Sequence, residues 1–386
     1  MTISSTLLAF YTSNLKSFIS SPSTFRILRS ISPCKPNPPN PPPPTNLTTK
    51  PLNTHDAYYI GSSSIDNHKD HGPIPQSSSQ ALYILDSSFN PPTLAHAHIC
   101  LSALRDHYAS SELQHSKARL LLLLSTKNAD KQITGVTLEE RLVGMECFAA
   151  DLLRNWLYTH MAFDHPDRKP APSSQREYLV PPGPAPEIDI ALTSLPYFHD
   201  KSAAIEESAI YPHGTTHIHC TGYDTLIRVL NPKYYPPTHD LSPLAPFLSR
   251  HKLRVTYRNS DKSSTMEENQ DSYLSSMIET LPSLGGNREW ITEDRIYMAP
   301  GLEGKEISST RVRGLISSIS APDPHKKGAG SKQHKGKGKG PDKKIKERLK
   351  GLVGEGVRKW VIGEKLYFYK KKPLLLVAEK KEVPEE

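Results

Sequence analysis

The chain has 386 residues, 36% of them hydrophobic, with 35 prolines and a formal charge of +8. That length supports one large domain with a substantial core, while the proline content places part of the chain outside it. Cys34, Cys100, Cys147 and Cys220 are far apart and form no Cys-x-x-Cys pair, which argues against a disulfide framework or zinc site and for idle thiols in a reducing compartment. No apolar run approaches the roughly 18 residues of a membrane span. The charge is local: between Lys326 and Lys350, eleven Lys and Arg stand against Asp342 and Glu347, a net +9, so the rest of the chain is close to neutral. A fold-wide basic face of the kind that binds nucleic acid is not indicated.

In chain order, residues 1–80 read as a low-complexity region. Residues 1–33 lack acids and are rich in Ser and Thr, with Lys16, Arg26 and Arg29 as the basic members. They suit either an accessory helix in two parts, 7–19 and 25–31, or, as the lesser alternative, a mitochondrial transit segment. Residues 36–44 are a polyproline stretch, and 61–80, made largely of Ser, Gly, His and Pro, read as linker. From Ala81 strand and helix signals alternate, the pattern of a doubly wound, Rossmann-like parallel α/β sheet. The expected strands are 81–86, 118–125, 188–193, 217–221, 253–258 and 295–298. The expected helices are 94–109, 137–160, 200–211, 223–231, 265–281 and 309–319. The unbroken leucines at 120–124 suit a central strand covered on both faces. Residues 164–186 read as a surface insertion, and 321–347 as a disordered Lys/Gly-rich insert, taken as a solvated loop in preference to a nucleic-acid site. A terminal helix from 349, with Leu352, Val353, Val357, Trp360 and Val361 at helical spacing, completes a domain of 81–372, followed by a tail of 373–386.

Four stretches carry chemistry. In the first, the apolar strand 81–86 runs into Ser87-Ser-Phe-Asn-Pro-Pro-Thr93 and a helix beginning at Leu94. Pro91 and Pro92 bar an earlier helix start, Thr93 is a good N-cap, and His96 lies in the first turn. Free N–H groups and the helix dipole then face the strand's carboxyl end, where anions bind in open parallel sheets. In the second, Asn128 and Lys131 follow the Leu-rich strand, with Arg141 at the start of the next helix, which Thr137 and Glu140 can cap. In the third, Gly222 is expected to allow a tight turn after a strand, and Asp224 opens the next helix. His217 and His219 on that strand are read as half-buried strand polars in preference to a metal pair. In the fourth, Ile307-Ser-Ser-Thr310 precedes Arg313, so Ser308 or Ser309 caps a helix that presents a guanidinium one turn in.

The string Phe89-Asn-Pro-Pro-Thr93-x-x-His96 resembles the first signature of the nucleotidylyltransferase superfamily. Ile307-Ser-Ser-Thr-x-x-Arg313 matches the second at every fixed position. The Thr93 form resembles the eukaryotic nicotinamide mononucleotide adenylyltransferases. The preceding Leu-Asp-Ser-Ser, and Gly222-Tyr-Asp-Thr-Leu-Ile-Arg through Tyr235, resemble the fungal promoter-of-filamentation-type proteins. Ser87 stands where the family usually has Gly, and Ala95 replaces the Gly of His-x-Gly-His. The resemblance implies adenylyl transfer from ATP, accompanied by Mg²⁺, to nicotinamide mononucleotide. His96, Arg313 and Thr93 would act on the phosphates. Ser87, Ser88, Phe89, Asn90, Gly222, Asp224, Ile307, Ser308, Ser309 and Thr310 would hold ATP, and Asn128, Lys131 and Arg141 the acceptor. Trp156, Tyr197 and Phe198 are candidates to stack on the nicotinamide. No metal ligand is expected from the protein, and a cytoplasmic or nuclear location is implied. The alternatives are a non-catalytic nucleotide-binding adaptor of the same fold, or transfer to another phosphorylated acceptor.

Overall fold

The computed structural model describes residues 3–33, 60–64, 81–111, 113–114, 116–127, 136–164, 183–258, 265–302, 306–321 and 341–369. Its strands are β1 (Phe25–Pro33), β2 (Ile60–Ser64), β3 (Ala81–Asp86), β4 (Arg119–Ser125), β5 (Glu187–Thr193), β6 (Thr216–Gly222), β7 (Lys252–Thr256) and β8 (Ile296–Ala299). They form one 8-stranded sheet in the order β2-β1-β5-β4-β3-β6-β7-β8. From β5 to β8 every pairing is parallel, and β1 runs antiparallel to both β5 and β2. The helices are α1 (Ile3–Ile19), α2 (Leu94–Ala109), α3 (Leu138–Asp164), α4 (Phe198–Glu207), α5 (Tyr223–Val229), α6 (Ala245–Arg250), α7 (Thr265–Thr280), α8 (Glu289–Thr292), α9 (Ser309–Ser320), α10 (Pro341–Arg348) and α11 (Glu355–Gly363). None of the described helices is long and apolar enough to cross a membrane. The six expected strands and their parallel arrangement are all present.

Period-two geometry explains the leucine run. Leu120, Leu122 and Leu124 join Tyr83, Leu85, Ile188 and Ile190 in the larger core, whereas Leu121 and Leu123 join Leu82, Ile84 and Ala191 on the other face. Each such leucine, fully buried, contributes about 1.5–3 kcal/mol. The strand order reverses at β3, with β4 and β5 on one side and β6, β7 and β8 on the other. A crevice therefore opens at the carboxyl ends of β3 and β6, the usual ligand position in such sheets.

The amino-terminal region departs from expectation. Residues 25–31 are strand, not helix, and Ile60–Ser64, inside the expected linker, is a second added strand. A register shift between Ile27 and Arg29 sends Phe25 and Ile27 to one face and Leu28 and Ile31 to the other, which disguises the period-two pattern. β1 is also tied down by a hydrogen bond to a buried ion pair: Asp189 of β5 accepts from Ser30 Oγ at 2.5 Å, and also from Tyr211 Oη at 2.8 Å and Arg119 Nε and Nη2 at 2.6 and 2.9 Å. α1 packs on α3 through Tyr11, whose hydroxyl donates to Glu146 Oε2 at 2.7 Å, with Arg29 Nη1 3.4 Å from the same carboxylate.

The carboxyl-terminal part differs too. Within the expected disordered insert, residues 341–348 form α10, anchored by the fully buried Ile345; residues 322–340 lie outside those described. Leu352 and Val353 precede the terminal helix, because Gly351 adopts φ +77° and Gly354 is the N-cap of α11. Asp151 of α3 accepts from Gly356 N at 2.9 Å and caps that helix from the side. Most of the expected insertion, residues 165–182, and the tail beyond 369 also fall outside the described residues. Replacing the fully buried Tyr11 by Ala will cost about 3 kcal/mol or more of stability in chemical denaturation. A loss below about 1 kcal/mol would show that α1 is not part of the core.

Candidate active site

The loop between β3 and α2 is built from backbone restraints and buried side chains. Ser87 N donates to Leu123 O at 3.3 Å, continuing the ladder one step past β3. Phe89 then takes a left-handed φ of +44°, and its buried ring lies 5.8 Å from the His96 ring and 6.3 Å from Phe148. Asn90 and Thr93 are buried, and Ser88 is exposed. Thr93 is the N-cap of α2, and His96 occupies the third helical position, where a capping box usually places Glu or Gln. Thr93 N donates to His96 Nδ1 at 3.0 Å, and Thr93 Oγ1 lies 2.8 Å from the same nitrogen. With Nδ1 accepting, the neutral ring carries its proton on Nε2, which donates to Ser87 Oγ at 3.0 Å. Burial lowers the His96 pKa to about 4, so at neutral pH this ring is an uncharged Nε2–H donor aimed into the loop.

The first turn of α9 grips the same loop from the other side. Ser308 caps the helix, accepting from Arg311 N at 3.2 Å. Ser309 Oγ donates to Pro91 O at 2.8 Å. Arg313 Nη1 donates to Asn90 O at 2.6 Å and its Nη2 to Thr310 Oγ1 at 3.1 Å. Residues more than two hundred positions apart in sequence thus meet on one turn of chain, with His96 bonded through Ser87 and Arg313 through Asn90.

Beside this junction is a cavity of about 210 Å³. Ala95, His98 and Ile99 of α2 form one wall, Gly222 to Asp224 another, and Ile307 and Ser308 a third. Gly222 ends β6 and is the N-cap of α5, so strand passes directly into helix there, with an extended φ of −95° that any residue could adopt. A Cβ built there meets nothing within 4 Å. His98, whose Nε2 lies 2.9 Å from Pro300 O, also lines the cavity. Thr256, Tyr257 and Arg258 complete the wall and escaped the motif reading. Their position at the carboxyl end of β7, next to β6, was the available signal. A second hollow of about 550 Å³, lined by Arg311, Arg348 and Lys350, shares Leu302 and Ile307 with the first.

Of the expected acceptor residues, Asn128 and Lys131 lie outside the described residues. Arg141 is buried, with Nε donating to Val136 O at 3.1 Å. Burial lowers its pKa, the Tyr367 oxygen opposes that, and the Arg313 charge adds to it. Two guanidiniums in one neighbourhood make a place that favours an anion. His217 and His219 are strand polars but fully buried, not half-buried as expected: His217 stacks on His251 at 4.3 Å, and His219 bonds Ser202 Oγ at 2.8 Å. No group of three His, Cys, Asp or Glu able to hold a metal occurs among the described residues. Trp156 donates to Gly183 O at 3.3 Å, and Phe198 packs on His219. Tyr197 stacks on His199 at 5.7 Å, with Tyr235 5.9 Å away.

No family model matches the chain. It is 28% identical over 243 residues, 62% of this chain and 78% of the relative, to a Schizosaccharomyces pombe protein named as a candidate nicotinamide mononucleotide adenylyltransferase. Two solved structures of Plasmodium falciparum nicotinic acid mononucleotide adenylyltransferase are also similar. The one complexed with NaAD aligns with a TM-score of 0.36 over 74% of this chain and 97% of its own. The one complexed with APC aligns with a TM-score of 0.37 over 74% and 96%. Both are 12% identical, and at that level the likeness carries no argument.

The His96 tautomer is open to direct measurement. Nitrogen-detected NMR of the full chain will show a neutral ring with the proton on Nε2 from pH 5 to 8, because the folded pKa is near 4. A midpoint near the unperturbed value of about 6.5 would contradict the burial argument.

Proposed function

We propose that the protein transfers the adenylyl group of ATP to nicotinamide mononucleotide, releasing pyrophosphate and forming NAD. The observation that carries this reading is the convergence of His96 and Arg313 on the Ser87–Asn90 turn beside a cavity walled by Gly222, Asp224, Ile307 and Ser308. The name of the Schizosaccharomyces pombe relative supports the same acceptor.

ATP would place its adenosine in the cavity near Gly222 and Asp224. Its triphosphate would cross the 87–90 turn and the first turn of α9, where Ile307 to Thr310 supply backbone N–H groups and hydroxyls. The acceptor's 5′-phosphate is already a nucleophile, so neither a covalent intermediate nor a strong base is required. One of its oxygens attacks the α-phosphorus in line, the new P–O bond forms, and the bond to the β-phosphate bridging oxygen breaks with its electron pair leaving on pyrophosphate. The chain's work is positioning and charge stabilisation. His96 Nε2–H can transfer its hydrogen bond from Ser87 to a phosphate oxygen, and the Thr93 hydroxyl fixes the ring from behind. A guanidinium has five N–H donors, so Arg313 can keep its bonds to Asn90 and Thr310 while offering others to phosphate. Asn128, Lys131 and Arg141 would take the acceptor phosphate, and the Tyr197, His199 and Tyr235 rings offer an aromatic surface for its base. Mg²⁺ would arrive with the nucleotide, held mainly by phosphate oxygens and screening their charge.

Purified protein with ATP, Mg²⁺ and nicotinamide mononucleotide will form NAD and pyrophosphate in equal amounts. His96→Ala will lower kcat by about 10²–10³ while leaving the fold intact. Nicotinate mononucleotide and phosphopantetheine run in parallel define acceptor choice. Failure to release pyrophosphate with any of the three would favour the non-catalytic adaptor.

A further inference from the structure

Two carboxylates, Asp224 and Glu306, line the candidate cavity, which would hold the adenosine end of a polyanionic nucleotide. Arg258 joins them. Its Nη1 donates to Asp224 Oδ2 at 2.5 Å and its Nη2 to Glu306 Oε1 at 2.8 Å. The main chain of Arg258 is fixed as well: Gln270 of α7, itself buried, accepts from Arg258 N at 3.0 Å and donates to Arg258 O at 2.9 Å. The guanidinium therefore projects from an anchored point just past β7 and spans the gap between α5 and the residues leading into α9.

Stability does not account for this arrangement. The three charged side chains are 46–58% exposed, and ion pairs at such exposure contribute little to folding. Their place on the cavity wall gives them another effect. Unpaired, both carboxylates would repel a nucleoside triphosphate and would be free to swing into the space meant for it.

Resting on the adenylyl-transfer reading, we propose that Arg258 is a positioning residue that offsets part of the negative charge of Asp224 and Glu306 and holds both at the rim, so that the cavity admits a nucleoside triphosphate. It acts through the carboxylates and not by gripping the phosphates. Its terminal nitrogens face the two acids, while Arg313 is the guanidinium at the phosphate turn.

The test is equilibrium binding of α,β-methylene ATP to the full chain, with thermal unfolding run on each variant. Arg258→Ala should bind the analogue about tenfold or more weakly with an unchanged unfolding midpoint, since Gln270 still holds the main chain. Adding Glu306→Gln to Arg258→Ala should recover part of that loss, because one of the two liberated negative charges is then gone. Arg258→Gln, a milder change, should be rescued in the same way. Binding by Arg258→Ala equal to that of the unaltered protein would overturn the proposal, as would a double variant no tighter than the single one, which would make Arg258 a direct nucleotide ligand. Should the unaltered protein fail to bind the analogue, the adenylyl-transfer reading itself is wrong and this inference falls with it.

Discussion

The site depends on how one turn of chain, residues 87–93, is held from both sides. An irregular loop at the end of a central strand has no ladder of its own to fix it, and this one contains consecutive prolines that donate no hydrogen bonds. Its rigidity comes from partners distant in sequence. His96 reaches back to Thr93 N and across to Ser87 Oγ, while Ser309 and Arg313 take the carbonyls of Pro91 and Asn90. The buried Phe89 ring fills the space beneath. Two helix amino-termini, those of α2 and α9, are thereby brought to one place, and their free N–H groups and dipoles add. The same bonds that shape the loop thus aim a neutral imidazole donor and a guanidinium into one neighbourhood.

The sheet sets this up by topology. Reversal of strand order at β3 lets the loops after β3, β6 and β7 share one crevice, and the cavity draws a wall from each side of it. β1 and β2 do their work at the opposite edge, where they cover β5 with an antiparallel pair. α1 and α11 both pack on α3, the helix that begins near Arg141, so the added amino-terminal segment and the terminal helix brace one wall of the site without entering it.

The legible parts of this arrangement were those with an uninterrupted local signal. A six-residue apolar strand, two prolines and a Thr cap marked β3, the turn and α2, and the Ser-Ser-Thr cap marked α9. The hidden parts have physical reasons for being hidden. A register shift at Ile27/Arg29 breaks the alternation that would have revealed β1, and in α10 a single apolar residue, Ile345, anchors a helix inside a lysine-rich stretch. Gly222 invited a turn argument, yet its backbone is extended and open space lies where a Cβ would stand. Arg258 carries no motif; its meaning comes from two acids that chain order separates and the fold brings together. His98 lies two residues past His96, so helix periodicity turns it to another side, toward Pro300 and the cavity wall.

The central claim is that His96 and Arg313 act on one shared triphosphate. A double-mutant cycle on kcat, using His96→Ala, Arg313→Ala and the pair, measures this most directly. Action on a common group predicts strong non-additivity, with a coupling of about 1 kcal/mol or more and a double variant little worse than the poorer single one. Strictly additive losses would mean that the two side chains serve separate sites, and would contradict the account.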